Sequence, residues 1–219
     1  MKILIFEPHP DDLLFGAGPI IFDWIEKAYT IHVITVTDGR ACYRGYKEID
    51  IEEDDVATMR TNEAKQAIHF LGIPLENLHL LNFPDSKAWR YKKEAILKVK
   101  PLIQDADRIF IPSNNNRHKD HQATHTIATE AAKELQLDIE YWVYFIPSYG
   151  VFKEDSREKQ IFITIGDDLR VKLLEWLQIY QSQKKTTHTW KFYTRYLTRL
   201  RNSIVGIYKL EDIGKYYNF

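Results

Sequence analysis

Apolar positions follow two rhythms along the chain: short, nearly continuous runs alternate with longer stretches in which apolar residues recur at helical spacing. Residues 3–6 (ILIF) form such a run, as a parallel strand covered on both faces requires. Residues 15–27 place Ile20, Phe22, Trp24 and Ile25 at helical spacing. Residues 30–37 (TIHVITVT) are rich in β-branched side chains and end at the turn pair Asp38-Gly39. Residues 56–71 predict a helix stopped by Gly72 and followed by Pro74. A brief strand is expected over 78–81, and a helix over 91–103 whose last turn is shortened or kinked by Pro101. Then come a strand over 108–112, a helix over 121–135 capped by Asp120, and a strand over 140–146. Residues 160–165 read as a strand and 167–181 as a helix; the remainder has no clear period. Strand–helix alternation implies right-handed βαβ units. The expected fold class is α/β, a Rossmann-like three-layer sandwich with a mostly parallel sheet. No repeat, low-complexity tract or Gly/Ser linker divides the chain, so a single domain over 1–219 is expected.

Composition narrows the function. At 44% hydrophobic and 28% charged residues the chain is not of the disordered type. Thirty Lys+Arg against 31 Asp+Glu leave a charge of -1, which argues against a surface built to hold polyanions. The single cysteine, Cys42, excludes an intramolecular disulfide and a thiolate-rich metal site. No apolar run approaches the ~20 residues that span a bilayer, and residues 1–8 lack a signal-type apolar stretch, so a cytoplasmic protein is expected.

In a parallel α/β sheet, ligands bind beyond the carboxyl ends of the strands. Three polar segments fall there: 7–12 (EPHPDD), 37–39 (TDG) and 112–121 (PSNNNRHKDH). The first holds His9, Asp11 and Asp12, the last His118, Asp120 and His121. Taken alone, each cluster reads as readily as a turn and helix cap. Together, two imidazoles and a carboxylate with an open fourth position suit a catalytic zinc site, with a second carboxylate left to face its water.

These residues resemble the PIG-L/LmbE-like zinc-dependent N-deacetylases. The motif Ala-His-Pro-Asp-Asp-Glu of that family is similar to Pro8-His9-Pro10-Asp11-Asp12-Leu13, and His-x-Asp-His to His118-Lys119-Asp120-His121. Thr37-Asp38-Gly39, Arg60-Thr61-Asn62-Glu63-Ala64 and a late Tyr180-Gln181-Ser182-Gln183, expected to close a helix, follow in the family's order. The resemblance covers a motif-bearing core of 1–185 and leaves 186–219 as a C-terminal extension. It implies Zn²⁺ held by His9, Asp12 and His121, with Fe²⁺, Co²⁺ or Mn²⁺ acceptable to the same ligands. It implies Asp11 as general base, a cationic His118 at the acetyl carbonyl, Asp120 as the hydrogen-bond partner that fixes His118, and Arg60 as a contact to the sugar. The implied activity is removal of an acetyl group from an N-acetylglucosamine-type sugar or sugar conjugate, a small-molecule substrate. Relatives often assemble, so a homo-oligomer is left open. Leu13 stands where the family has an acid, and Pro8 where it has a small residue.

Other readings stay open beside this one: an amidase for a different N-acyl group, or a sugar- or metal-binding protein without turnover. No Gly-x-Gly-x-x-Gly, P-loop or Gly-x-Ser-x-Gly occurs, which disfavours nucleotide binding and serine hydrolysis. His125 is expected to pack behind His121 rather than to ligate, and Asp38 to be a turn residue. The charged segment 41–55 reads either as a lid whose Tyr43 and Tyr46 stack on a sugar or as a solvated loop. Between Ser182 and Ser203 lie six basic residues and no acidic one, interleaved with Trp190, Phe192, Tyr193 and Tyr196. Nucleic-acid binding is not expected of so short a segment; packing, a subunit contact or an anionic substrate group remain.

Overall fold

The computed structural model describes residues 1–146 and 160–209. Strand β1 (Lys2–Glu7) is followed by helices α1 (Asp12–Gly16) and α2 (Gly18–Glu26), then β2 (Thr30–Thr37), α3 (Glu53–Phe70), β3 (Leu78–Phe83) and α4 (Lys92–Ile103). Next come β4 (Arg108–Pro112), α5 (Lys119–Glu134), β5 (Glu140–Tyr144), β6 (Gln160–Thr164), α6 (Asp167–Leu177), α7 (Gln181–Lys185), α8 (Thr187–Arg199) and β7 (Asn202–Tyr208). The strands form one seven-stranded sheet in the order β3-β2-β1-β4-β5-β7-β6. β1 to β5 are mutually parallel, and β7 runs antiparallel to both β5 and β6.

Burial shows why β1 lacks alternation. Ile3 and Ile5 belong to one core, with Trp24 and Phe110 of the sheet's neighbourhood and Leu173 and Trp176 of α6. Leu4 and Phe6 belong to the other, with Val99 and Ile103 of α4 and Ile127 and Ala131 of α5. Both faces of the strand are dry, which is the three-layer α/β arrangement. Among the described residues no helix is long and apolar enough to cross a membrane.

Several expectations are corrected. The helix expected over 15–27 is two: α1 ends at Gly16 and α2 restarts at Gly18, with Pro19 in its first turn. Gly16 is required there, because an added Cβ would meet the Tyr144 ring at 2.5 Å. Pro101 sits in the last turn of α4 without ending it early. Tyr180 to Gln183 opens α7 rather than closing a helix, since the preceding helix stops at Leu177. β7 and α8 occupy the stretch that has no clear period. β7 contains Gly206 and Asn202, which weaken its strand signal, and tertiary pairing with β5 and β6 fixes it.

Candidate active site

The chain winds outward from β1 to β3 on one side and returns through β4 to the other. The switch point therefore lies between β1 and β4, where ligands bind in open α/β sheets. The turn after β1 is held by Thr37, whose N–H and Oγ1–H both donate to the Pro8 carbonyl (3.0 and 2.8 Å). Within it, Asp12 N–H donates to the His9 carbonyl at 3.1 Å, and His9 N–H returns a bond to Asp12 Oδ2 at 3.0 Å. That reciprocal pair folds the Asp12 carboxylate over the His9 ring. After β4, His118 caps α5: its backbone is extended and its Nδ1 accepts the Asp120 N–H at 3.3 Å. Asp120 thus lies inside the helix instead of capping it. Its carboxylate accepts from Ser86 N–H (2.5 Å) and Ala88 N–H (3.0 Å), so the bond it gives the His118 ring comes from its main chain.

The two turns meet. Asp12 Oδ2 lies 3.0 Å from His9 Nδ1 and 3.3 Å from His121 Nε2. Donors about 2.0–2.1 Å from a tetrahedral zinc stand roughly 3.3 Å apart, and these edges fit that spacing. The Asn116 side-chain amide meets the other nitrogen of His121 at 3.0 Å. Burial pushes the His121 pKa down to about 4, against the pull of Asp12. Burial would raise Asp12, but His121 and His9 outweigh it and bring it to about 2. A neutral imidazole beside an ionised carboxylate is the protonation state that a metal requires of its ligands. Burial likewise opposes charge on His9, yet Asp85, Asp12 and Asp120 hold its pKa well above the usual imidazole value. Two imidazoles and a carboxylate with this spacing and this demand for positive charge fit a divalent cation.

Asp85 was not foreseen. It follows β3 in a Pro84-Asp85-Ser86 turn that by sequence is only a turn. Its Oδ1 lies 3.3 Å from His9 Nε2, with Asp120 Oδ2 at 3.4 Å. Asp38 serves this turn: its Oδ1 accepts from Asp85 N–H at 3.2 Å and from Arg40 N–H at 3.1 Å. Glu7 was also missed. It is buried, accepts from Thr35 Oγ1–H (2.6 Å) and Leu13 N–H (2.9 Å), and burial raises its pKa to about 8. Leu13 itself is 2% exposed and sits in the core, so the acid at this end of α1 comes from β1.

Asp11 points away from Asp12. Arg60 Nη2 donates to its Oδ1 at 2.5 Å and Tyr193 OH to its Oδ2 at 3.3 Å. Arg60 is only 2% exposed, and its Nη1 reaches Ser182 Oγ (3.2 Å) and Glu63 Oε2 (3.6 Å). Ser182 in turn donates N–H and Oγ–H to Glu63, each at 2.6 Å. The guanidinium therefore braces Asp11 from behind, although it borders the cleft. His125 is buried and bonds the Pro112 carbonyl through Nδ1 at 2.8 Å, as a packing residue. Of segment 41–55, Ala41 and Cys42 line the cleft. Tyr43 is buried and donates to the Ser182 carbonyl (2.8 Å), Tyr46 meets Thr189 Oγ1 (3.3 Å), and neither stacks over the opening.

A cleft of about 550 Å³ opens over His9, Asp11, Asp12, His118 and His121, walled on the far side by Phe192 and Tyr193. Cys42 also borders it, but burial pushes its thiol up to about 12, so it is no thiolate nucleophile.

The chain is similar to diacetylchitobiose deacetylase of Thermococcus kodakarensis, 27% identical over 137 residues, 59% of this chain and 48% of the relative. It thus spans about half the length of that curated relative. Among solved structures, the zinc-inhibited form of teicoplanin deacetylase Orf2 superposes with a TM-score of 0.73 at 14% identity, covering 95% of this chain and 98% of that one. GalB, the 4-carboxy-2-hydroxymuconate hydratase of Pseudomonas putida KT2440, superposes at 0.66 and 17% identity over 95% of each chain, so the fold alone does not fix the reaction. Residues 4–132 match the family described as PIG-L, GlcNAc-PI de-N-acetylase; that stretch holds His9, Asp11, Asp12, Arg60, His118 and His121, and the chain belongs to this family.

Proposed function

We propose that the chain is a metal-dependent N-deacetylase that removes the acetyl group from an N-acetylglucosamine-type sugar or sugar conjugate. The observation that supports it most is the division of labour between neighbours: Asp12 lies between two imidazoles, while Asp11 lines the same cleft paired with Arg60 instead. The name of the curated relative, a deacetylase of diacetylchitobiose, supports an acetylated amino-sugar as substrate.

Amides resist hydrolysis because water is a poor nucleophile and an amine a poor leaving group. A divalent cation, zinc by its ligand set, would polarise the carbonyl and acidify water when held by His9, Asp12 and His121. Asp11 accepts the proton of the attacking water on a carboxylate oxygen and returns it to the departing nitrogen. Arg60 and Tyr193 each donate to one of its oxygens and so fix the carboxylate at the cleft's edge. His118 faces the acetyl carbonyl. Its Nδ1 accepts the Asp120 N–H, which leaves the ring proton on Nε2, and burial lowers its pKa, so it acts as a neutral Nε2–H donor. A donor of this kind is worth about 10²–10³ in kcat to a developing oxyanion.

The test is a panel of N-acetylated sugar conjugates given to the zinc-loaded protein, with free amine and acetate both measured. Equal release of the two supports the reading; bound metal without amine from any amide favours a binding protein. Asp11→Ala is expected to keep its metal and lose roughly 10²–10⁴ in turnover. His121→Ala is expected to lose bound metal, read by elemental analysis.

A further inference from the structure

The stretch Tyr180-Gln181-Ser182-Gln183 lends only Ser182 to the chemistry above, and its last residue is left over. Gln183 of α7 lines the active cleft and is otherwise sealed, at 6% exposed. Its main-chain N–H and C=O are engaged by Tyr180 and Thr186. Its carboxamide has no hydrogen-bond partner among the described residues, whereas the exposed Gln178 and Gln181 each bond a carbonyl. Buried polar groups in native proteins are nearly always paired, so an unpaired amide on a cleft wall points to a group that enters the cleft. Phe192 of α8 lines the same cleft and is 40% exposed, while the adjacent Tyr193 is packed on Phe15 at 4.4 Å between ring centroids. Both residues are tied to Asp11 over short distances. Ser182, next to Gln183, accepts from Arg60 Nη1 at 3.2 Å, and Arg60 Nη2 donates to Asp11 at 2.5 Å. The Phe192 ring lies 6.0 Å from the Tyr193 ring between centroids, and the Tyr193 hydroxyl donates to Asp11 at 3.3 Å. Thr189, another polar residue of this wall, is already bonded to Tyr46.

We infer that Gln183 and Phe192 read the pyranose ring of the substrate: the Phe192 ring takes its apolar C–H face, and the Gln183 carboxamide bonds two adjacent hydroxyls. With the acetamido group on C2 at the cation site and the glycosidic bond on C1, the adjacent free hydroxyls of such a ring are 3-OH and 4-OH. A carboxamide suits that pair, because its oxygen accepts from one hydroxyl while its NH₂ donates to the other, with no charge to desolvate. The electron-rich face of an aromatic ring attracts the positive edge of C–H groups. A cleft of about 550 Å³ lined by aromatic side chains and a few placed polar groups is of the size and make-up of a small-molecule site. The inference rests on the deacetylase reading and deepens it: the site selects a hydroxylated sugar ring and not an N-acetyl group alone.

The experiment measures kcat/KM for the methyl glycoside of N-acetylglucosamine and for its 3,4-dideoxy analogue, with zinc-loaded wild type, Gln183→Leu, Phe192→Ala and Phe192→Trp. The wild type is expected to favour the hydroxylated glycoside by about a hundredfold, each hydrogen bond giving roughly tenfold. Gln183→Leu, close to glutamine in volume, is expected to lose most of that preference. Phe192→Ala is expected to lower kcat/KM on both glycosides by about tenfold, mainly through KM, and Phe192→Trp to restore it. A general distortion of α7 would slow both glycosides alike and leave the preference intact. That outcome, or equal turnover of the two glycosides by wild type, overturns the role of Gln183 and leaves the deacetylase reading standing. An unchanged KM in Phe192→Ala overturns the stacking role. If neither glycoside yields amine with wild type, the deacetylase reading fails, and NMR titration with the methyl glycoside decides the ring site: shifts at the Gln183 side-chain amide and the Phe192 ring support it, their absence overturns it.

Discussion

Two adjacent carboxylates would repel if they shared one environment, and here they do not. Asp12 is ionised between two imidazoles, and Asp11 is paired with a buried guanidinium. Removing one partner of a buried pair leaves an uncompensated charge, so Arg60→Met is expected to cost about 3–5 kcal/mol by urea denaturation. Adding Asp11→Asn to that variant is expected to recover much of the stability but none of the turnover. His125 supplies a pH signature of its own. Burial depresses its pKa to about 4 against an ordinary 6.5, so the unfolded chain binds the proton first. The stability held by the neutral ring is complete above pH 6.5 and is lost as pH falls toward 4, by about 2 kcal/mol at pH 5. His125→Asn keeps a donor for the Pro112 carbonyl and is expected to flatten that part of the pH profile of the denaturation midpoint. At this scale the sequence was informative for His9, Asp12 and His121, whose spacing is local. It was silent on Asp85, because a lone aspartate between proline and serine looks like any turn until the fold brings His9 to it.

Among the elements, Gly39 couples a turn to the site. Its φ of +68° is a conformation that L side chains rarely adopt, and an added Cβ would come within 2.7 Å of Arg60 Nε. Gly39→Ala is expected to lose about 1–2 kcal/mol from the left-handed backbone alone. It should also lower kcat by displacing Arg60 from Asp11, while the metal content stays unchanged. The strands β1, β2 and β4 were readable because complete burial writes itself as uninterrupted apolar sequence. The α1–α2 break was not, because the apolar period continues across Ala17 and only contact with Tyr144 reveals why Gly16 ends a helix. β7 was hidden for the opposite reason: its pairing partners lie far from it in sequence, and its own residues carry a mixed signal.

For the whole molecule, the candidate cation site brings residues of the turn after β1 together with residues of the helix after β4, at the centre of the sheet. Chelation is expected to lower the melting temperature and readdition of zinc to restore it, with about 2.7 kcal/mol gained at a hundredfold excess of metal over Kd. His121→Ala should melt at the chelated temperature whether or not metal is present. The family match ends at residue 132, yet His188, Phe192 and Tyr193 line the cleft from α8, and buried Ser182 of α7 holds Arg60 from below. The reacting groups and the groups that would greet the rest of a substrate thus lie on separate stretches of chain. An exchange of residues 181–201 between relatives could retarget such an enzyme without rebuilding its chemistry, provided the graft keeps one hydroxyl for Arg60 and one phenol for Asp11.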